Sequence, residues 1–224
     1  MSIRHWPITE RPREKLLNQG PQALSDAELI AIFLRTGVSG QNAIDLARQL
    51  LQDFGGLRGL LEADYERIAH TRGIGQAKYV LFQAALEIGR RYLYANLQRL
   101  DIMSHAQDAC QYLQAKLASY QREVFACLYL DNRHRIIQFD ELFHGSIASA
   151  TVYPREVIKR ALVHNAAAVI FAHNHPSGVA EPSQDDIELT KRLMNALEPL
   201  EIRVLDHIVV GSNEAVSMAA RGLL

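Results

Sequence analysis

Two histidines separated by one residue, in His173-Asn174-His175, close the apolar run Ala167-Ala168-Val169-Ile170-Phe171-Ala172 and are followed by Pro176. On an extended backbone alternate side chains point to the same side, so the two imidazoles share a direction. A carboxylate at Asp186, eleven residues after His175, stands in what reads as the first turn of the next helix, and Ser177 to Pro182 has only to form a returning loop. Two imidazole nitrogens and a carboxylate oxygen form a donor set that zinc accepts tetrahedrally, and catalytic sites keep water in the fourth position. Each residue has a plainer use when taken alone. Ser183 and Asp186 suit the N-cap and third positions of a helix, where a carboxylate also meets the helix dipole, and a histidine at a strand end is ordinary. Three donors within fourteen residues, beside a Pro-Ser-Gly turn, make coincidence the weaker explanation. One zinc per chain is therefore expected.

The elements that must position these groups divide the chain in two. From Ser25 to Arg91 the apolar residues recur at helical spacing, as in Ala27, Ile30, Ala31 and Leu34, then Ala43, Leu46, Ala47, Leu50 and Leu51. Ser25 and Glu28 have the form of a capping box, and Thr36-Gly37-Val38-Ser39-Gly40 and Phe54-Gly55-Gly56 interrupt the helices. The pattern changes near residue 100, which predicts a helical domain over 1–100 and a second domain over 101–224. In the second, Ser104 or Asp108 opens a helix running to about Tyr120. The continuous run Val124 to Leu130 and the segment Ile136 to Phe139, joined by a short turn at Asp131-Asn132, predict a two-stranded hairpin. A helix from Pro154, a buried strand from Ala167 to Ala172, a helix from Ser183 to about Leu197 and a strand from Val204 to Val210 complete an α/β alternation.

Composition narrows the function classes. With 224 residues, 48% of them hydrophobic, the chain is long enough for a packed core. No apolar run approaches the roughly 20 residues that span a bilayer, and Arg4, Glu10, Arg11, Arg13 and Glu14 occupy the place of a signal-peptide core. A soluble, cytoplasmic protein is expected. Cys110 and Cys127 lack Cys-x-x-Cys spacing and lie among apolar neighbours, which argues for buried thiols rather than a disulfide framework or a zinc ribbon. The 24 basic and 25 acidic side chains exclude the strong basic excess of a tight nucleic-acid binder. Residues 1–100 nonetheless hold 13 basic against 10 acidic groups, so an anionic partner suits the helical half better.

His173-x-His175-Pro176, six residues, Ser183, two residues and Asp186 is similar to the JAMM motif of the JAB/MPN metalloprotease superfamily, whose members include deubiquitinating isopeptidases. His-Asn-His-Pro-Ser-Gly, with Asp206-His207-Ile208-Val209-Val210-Gly211 downstream, resembles the bacterial RadC family in particular, over nearly the whole chain. The resemblance implies a small helical region followed by an MPN domain, a mixed sheet flanked by helices, with zinc held by His173, His175 and Asp186. It also implies a glutamate that takes a proton from the attacking water, since zinc brings the pKa of a bound water to about 7. Glu123, directly before the strand Val124 to Leu130, matches the family's placement of that base. Glu141 lies beyond the hairpin, and Glu156 occupies the first turn of the Pro154 helix, where a solvated, dipole-favoured residue is the simpler reading. Ser183, by the same resemblance, stabilises an oxyanion, worth a few kcal/mol in a transition state, besides capping its helix. Asp206 and His207 fall in an apolar strand and read as a hydrogen-bonded pair rather than ligands.

In the helical half, Gly55-Gly56-Leu57 to Ile68-Ala69 and Arg72-Gly73-Ile74-Gly75-Gln76-Ala77-Lys78 resemble a helix-hairpin-helix element. Gly73 and Gly75 would allow a tight turn whose amides meet a DNA phosphate, with Lys78 adding a charge one turn in. The plainer alternative is an αα-hairpin in which the glycines only turn the chain. The leading expectation is a JAMM-type hydrolase acting on a peptide or isopeptide bond of an unidentified protein. The alternative is a DNA-binding or DNA-repair accessory protein with a structural zinc. Expected contacts are a protein or peptide substrate and weak nonspecific DNA, with no membrane and with dimerisation through an apolar MPN face as the oligomeric candidate. The letters His-Asn-His do not make a metal-dependent nuclease, whose named residues are not contiguous, and a zinc nucleobase deaminase is excluded by the missing His-x-Glu and Cys-x-x-Cys pair.

Overall fold

A computed structural model of the chain describes residues 3–97, 106–145 and 152–224. It divides into two compact units, Met1–Gly89 and Arg90–Leu224. The boundary expected near residue 100, and Ser104 as a helix start, lie outside the described residues.

The first unit contains α1 (Pro12–Gln19), α2 (Asp26–Leu34), α3 (Ala43–Asp53), α4 (Leu57–Leu61), α5 (Tyr65–Ala69) and the beginning of α6 (Gln76–Leu97). Ser25 caps α2 as its spacing with Glu28 predicts: its hydroxyl accepts from the Glu28 amide, and the Glu28 carboxylate accepts from the Ser25 amide. The helically spaced apolar positions are the buried ones, with Ala27, Ile30, Ala31 and Leu34 of α2 packed with Leu46, Ala47 and Leu50 of α3 in one core. Between α5 and α6, Gly73 adopts φ +93°, and a Cβ there would lie 2.8 Å from Leu46 Cδ2, so this turn requires glycine.

The second unit is a five-stranded mixed sheet between helices. Its strands are β1 (Val124–Leu130), β2 (Ile136–His144), β3 (Ala168–Asn174), β4 (Arg203–Val210) and β5 (Ala215–Ser217), in the order β2-β1-β3-β4-β5. Among the described strands β3 and β4 alone run parallel, and the connection between them carries α9 (Gln184–Leu197), because parallel neighbours need a crossover. All seven residues of β1 and of β3 are buried, which explains why both read as unbroken apolar runs. Val124, Ala126, Leu128 and Leu130 pack with Ala109, Tyr112, Leu113 and Leu117 of α7 (Ala106–Leu117) on one face. Phe125, Cys127 and Tyr129 pack on the other with Val157 and Ala161 of α8 (Pro154–Val163) and Leu189, Leu193 and Leu197 of α9. Each large apolar side chain so enclosed contributes roughly 1.5–3 kcal/mol, which fixes the parity of every residue on the central strands.

Two differences from the sequence reading have local causes. β2 continues to His144 rather than ending near Phe139. As an edge strand it is half solvated, so Gln138, Asp140 and Glu141 interrupt its apolar pattern without ending its pairing with β1. β5 has only three residues, too few to show a period. Among the described residues no helix is long and apolar enough to cross a membrane.

Candidate metal centre

His173 occupies the penultimate position of β3, and His175 follows the strand end, its amide donating to the Val210 carbonyl of β4 at 2.9 Å. Parity places His173 on the α8/α9 face, beside Phe171 and opposite Phe125 of β1. Asp186 reaches the same point from the first turn of α9. Ser183 is the N-cap of that helix: its hydroxyl accepts from the Asp186 amide at 3.2 Å, and its amide and hydroxyl both donate to Asp186 Oδ2 at 2.7 Å. The cap and the ligand position are therefore one device. The turn that halts helix fraying also fixes the carboxylate, leaving Oδ1 facing His173 Nε2 at 3.2 Å.

The donor atoms of His173, His175 and Asp186 all lie within 4.8 Å of one another. The two Nε2 atoms are 3.0 Å apart, and His175 Nε2 is 3.5 Å from Asp186 Oδ2. An ion held tetrahedrally at about 2.0–2.2 Å separates its ligand atoms by roughly 3.3–3.6 Å, close to this spacing. The hydrogen positions support the same conclusion. His175 Nδ1 lies 2.9 Å from the Val179 carbonyl, which can only accept, so Nδ1 carries a proton and Nε2 is the nitrogen a neutral ring offers to the centre. Gly178, at φ +85°, allows the loop carrying that carbonyl to lie against the turn after β4, where a Cβ would be 2.4 Å from Ser212 Oγ. Two imidazole nitrogens and a carboxylate oxygen converging at this spacing are a donor set that fits a metal ion. His173 and Asp186 side chains are 0% and 2% exposed and that of His175 is 17% exposed, so the cluster meets solvent on the His175 side.

The electrostatics follow from this crowding. Burial pushes the Asp186 carboxyl upward, but hydrogen bonds from His173 and His175, the charge of His173 and the Ser183 hydroxyl overcome it and hold the group well below the usual carboxylate range. The hydrogen bond to Asp186 raises His175 above its ordinary value, against burial, and the Val179 carbonyl and the charges of Asp186 and Glu123 add to the rise. His207, at 0% exposure, is driven well below the ordinary imidazole value by burial, with the charge of His173 adding to it.

Glu123 stands one residue before β1 and is half-buried. Phe125 pairs with His173 antiparallel, so extending that register by two residues sets Glu123 beside His175. Glu141 instead accepts from the Tyr120 hydroxyl at 3.0 Å, and Glu156 lies 3.6 Å from Arg155 Nε on α8. Ser183 is at the cluster, with its hydroxyl proton on Asp186 Oδ2, so donation to an oxyanion requires that hydroxyl to turn. Asp206 accepts from the His207 and Ala219 amides and from the Ser217 hydroxyl, which binds β4 to the chain's final turn.

Asn174 had no assigned role in the sequence reading. It points to the opposite face of β3, where its Oδ1 accepts from the Val124 amide at 2.8 Å and its Nδ2 donates to the Tyr120 and Arg122 carbonyls at 3.2 and 3.1 Å. It thus grips the backbone on both sides of Glu123. The signal available was a lone amide inside an apolar strand, which must find partners once buried. In the helical unit, the Lys78 ammonium donates to the Gly73 carbonyl at 2.7 Å across the turn that contains Gly75, and burial lowers its pKa. Gly75 has open space where a Cβ would stand.

Comparison with known proteins adds to this geometry. Residues 103–223 match the RadC-like JAB domain, which belongs to the MPN superfamily, and residues 3–80 match the UPF0758 N-terminal domain. UPF0758 proteins of Nitrosococcus oceani, Thioalkalivibrio sulfidiphilus and Cellvibrio japonicus are 61%, 60% and 59% identical to this chain over 224 residues, the full length of each. With its two regions matched in that order and its whole length shared with these relatives, the chain belongs to the UPF0758 family, whose second domain is a RadC-like JAB domain.

Proposed function

We propose that the chain is a JAMM-type metallohydrolase cleaving a peptide or isopeptide bond, with one zinc per chain held by His173, His175 and Asp186. The observation that carries this reading is the convergence of three acceptor atoms at tetrahedral spacing, beside the strand end that carries Glu123. Zinc held by these residues would supply Lewis acidity for activating water and polarising a carbonyl. Glu123 takes the proton of the attacking water and returns it to the departing nitrogen. The Ser183 hydroxyl, turned from Asp186 Oδ2, donates to the developing oxyanion. Asn174 holds the backbone around Glu123, so the base is fastened to the strand that carries His173.

The test joins metal analysis to hydrolysis. Protein purified from metal-replete cells should hold about one zinc per chain, and His173→Ala and Asp186→Ala should lose it. Glu123→Gln should keep the zinc and lose hydrolysis of a quenched-fluorescence peptide and lysine-isopeptide library by about 100-fold or more. Zinc-free wild-type protein would remove the metal assignment. Full activity in Glu123→Gln would move the base elsewhere.

A further inference from the structure

We propose that His207 and Thr190 are positioning residues for the metal centre, acting as a buried relay that fixes His173 in the tautomer whose Nε2 lone pair faces the cation. This role rests on the metal reading above. The direction of every hydrogen bond in the relay can be worked out from one end. Thr190 Oγ1 lies 2.6 Å from the backbone carbonyl of Asp186, and a carbonyl has no proton to give, so the hydroxyl donates there. Its single proton is then committed, and its 2.5 Å contact with His207 Nδ1 must be a bond in which the ring donates. His207 is fully buried, with its ring set edge-on against Phe125 and Phe171, and neither ring nitrogen has a carboxylate partner among the described residues. A second proton would leave a charge in that apolar surrounding, so the imidazole is neutral and its Nε2 is an acceptor. The remaining contact, 2.9 Å between His207 Nε2 and His173 Nδ1, is therefore donated by His173. In a neutral His173 ring, the form that a cation takes, Nε2 is then the nitrogen without a proton, 3.0 Å from His175 Nε2 and 3.2 Å from Asp186 Oδ1.

The relay begins on the backbone of one ligand and ends on the ring of another, joining α9, β4 and β3. Ligating histidines commonly donate their second ring nitrogen to a carboxylate or a backbone carbonyl, which sets the tautomer. Here the acceptor is a neutral imidazole, so the tautomer is set without adding a second negative charge beside Asp186. Thr190 is the part that makes His207 an acceptor: without its hydroxyl, nothing decides which nitrogen of His207 carries the proton.

The test uses the full-length chain, with zinc affinity read by competition against a chelator and ring protons read by long-range 15N–1H correlation in the zinc-loaded protein. Thr190→Val is nearly isosteric and His207→Leu removes the acceptor; both should bind zinc about 10- to 100-fold more weakly, while Thr190→Ser, which keeps the hydroxyl, should stay near wild type. Wild-type spectra should place the ring protons of His173 and His207 on Nδ1, and backbone amide spectra report whether each variant keeps the fold. Wild-type zinc affinity in folded Thr190→Val and His207→Leu, or a His207 ring proton on Nε2, would overturn the relay alone. Absence of zinc binding in the wild type would overturn the metal reading, and the relay's role with it.

Discussion

At the residue scale, the centre is built from side chains whose second hydrogen bond matters as much as the first. His175 is aimed by the Val179 carbonyl, Asp186 by the Ser183 cap, and the segment around Glu123 by Asn174. Asn174 separates positioning from ligation, since it lies on the strand between two ligands yet faces away from them. Asn174→Ala leaves the buried Val124 amide without an acceptor and frees two carbonyls, which should destabilise the second unit by roughly 2–4 kcal/mol in urea denaturation. If the proposed function holds, the zinc content should persist while hydrolysis falls, because Asn174→Ala leaves His173, His175 and Asp186 in place and releases the backbone around Glu123. Unchanged stability would show that water replaces the amide at no cost. The alternation of a strand tells that Asn174 points opposite to His173 and His175. It does not tell that the opposite face meets the backbone of residues 120–124.

At the element scale, α8 is fastened to the edge strand β2 through Asp140, whose carboxylate accepts from Arg160 Nε at 2.9 Å and lies 2.9 Å from His164 Nε2. Burial raises the Asp140 carboxyl, but the hydrogen bonds of His164 and Arg160 and their charges outweigh it, and its value falls below the ordinary one. A carboxyl depressed on folding contributes stability above its unfolded value of about 3.9, and loses it as pH falls through the folded value. Asp140→Asn should therefore cost roughly 1–2 kcal/mol at pH 7, and the difference from wild type should close below about pH 4. A difference independent of pH would assign the cost to packing instead. The elements themselves were legible wherever burial was one-sided or complete. Helical spacing located α2 and α3, and unbroken apolar runs located β1 and β3. The end of β2 and the whole of β5 were not, because an edge strand and a three-residue strand are held by backbone pairing more than by apolar alternation.

At the scale of the whole molecule, the two units have separate cores, one among α2, α3 and the start of α6, the other on the two faces of the sheet. Zinc held within the second unit should stabilise that unit by mass action, about 2.7 kcal/mol at a free concentration 100 times the dissociation constant. Chelation should then speed amide hydrogen exchange in β3, β4 and α9 while leaving α2 and α3 unchanged. Equal loss of protection in both units would mean that the chain unfolds as one cooperative body. The sequence by itself determined what depends on near neighbours: the caps of α2 and α9, the burial parity of the central strands, the shared direction of His173 and His175, and the Ser183–Asp186 pair. Tertiary structure alone decided the partners 34 and 50 residues away, His207 against His173 and Asn174 against Val124. The physical reason is that hydrophobic periodicity sets which face a side chain takes, whereas strand order and register decide what waits there.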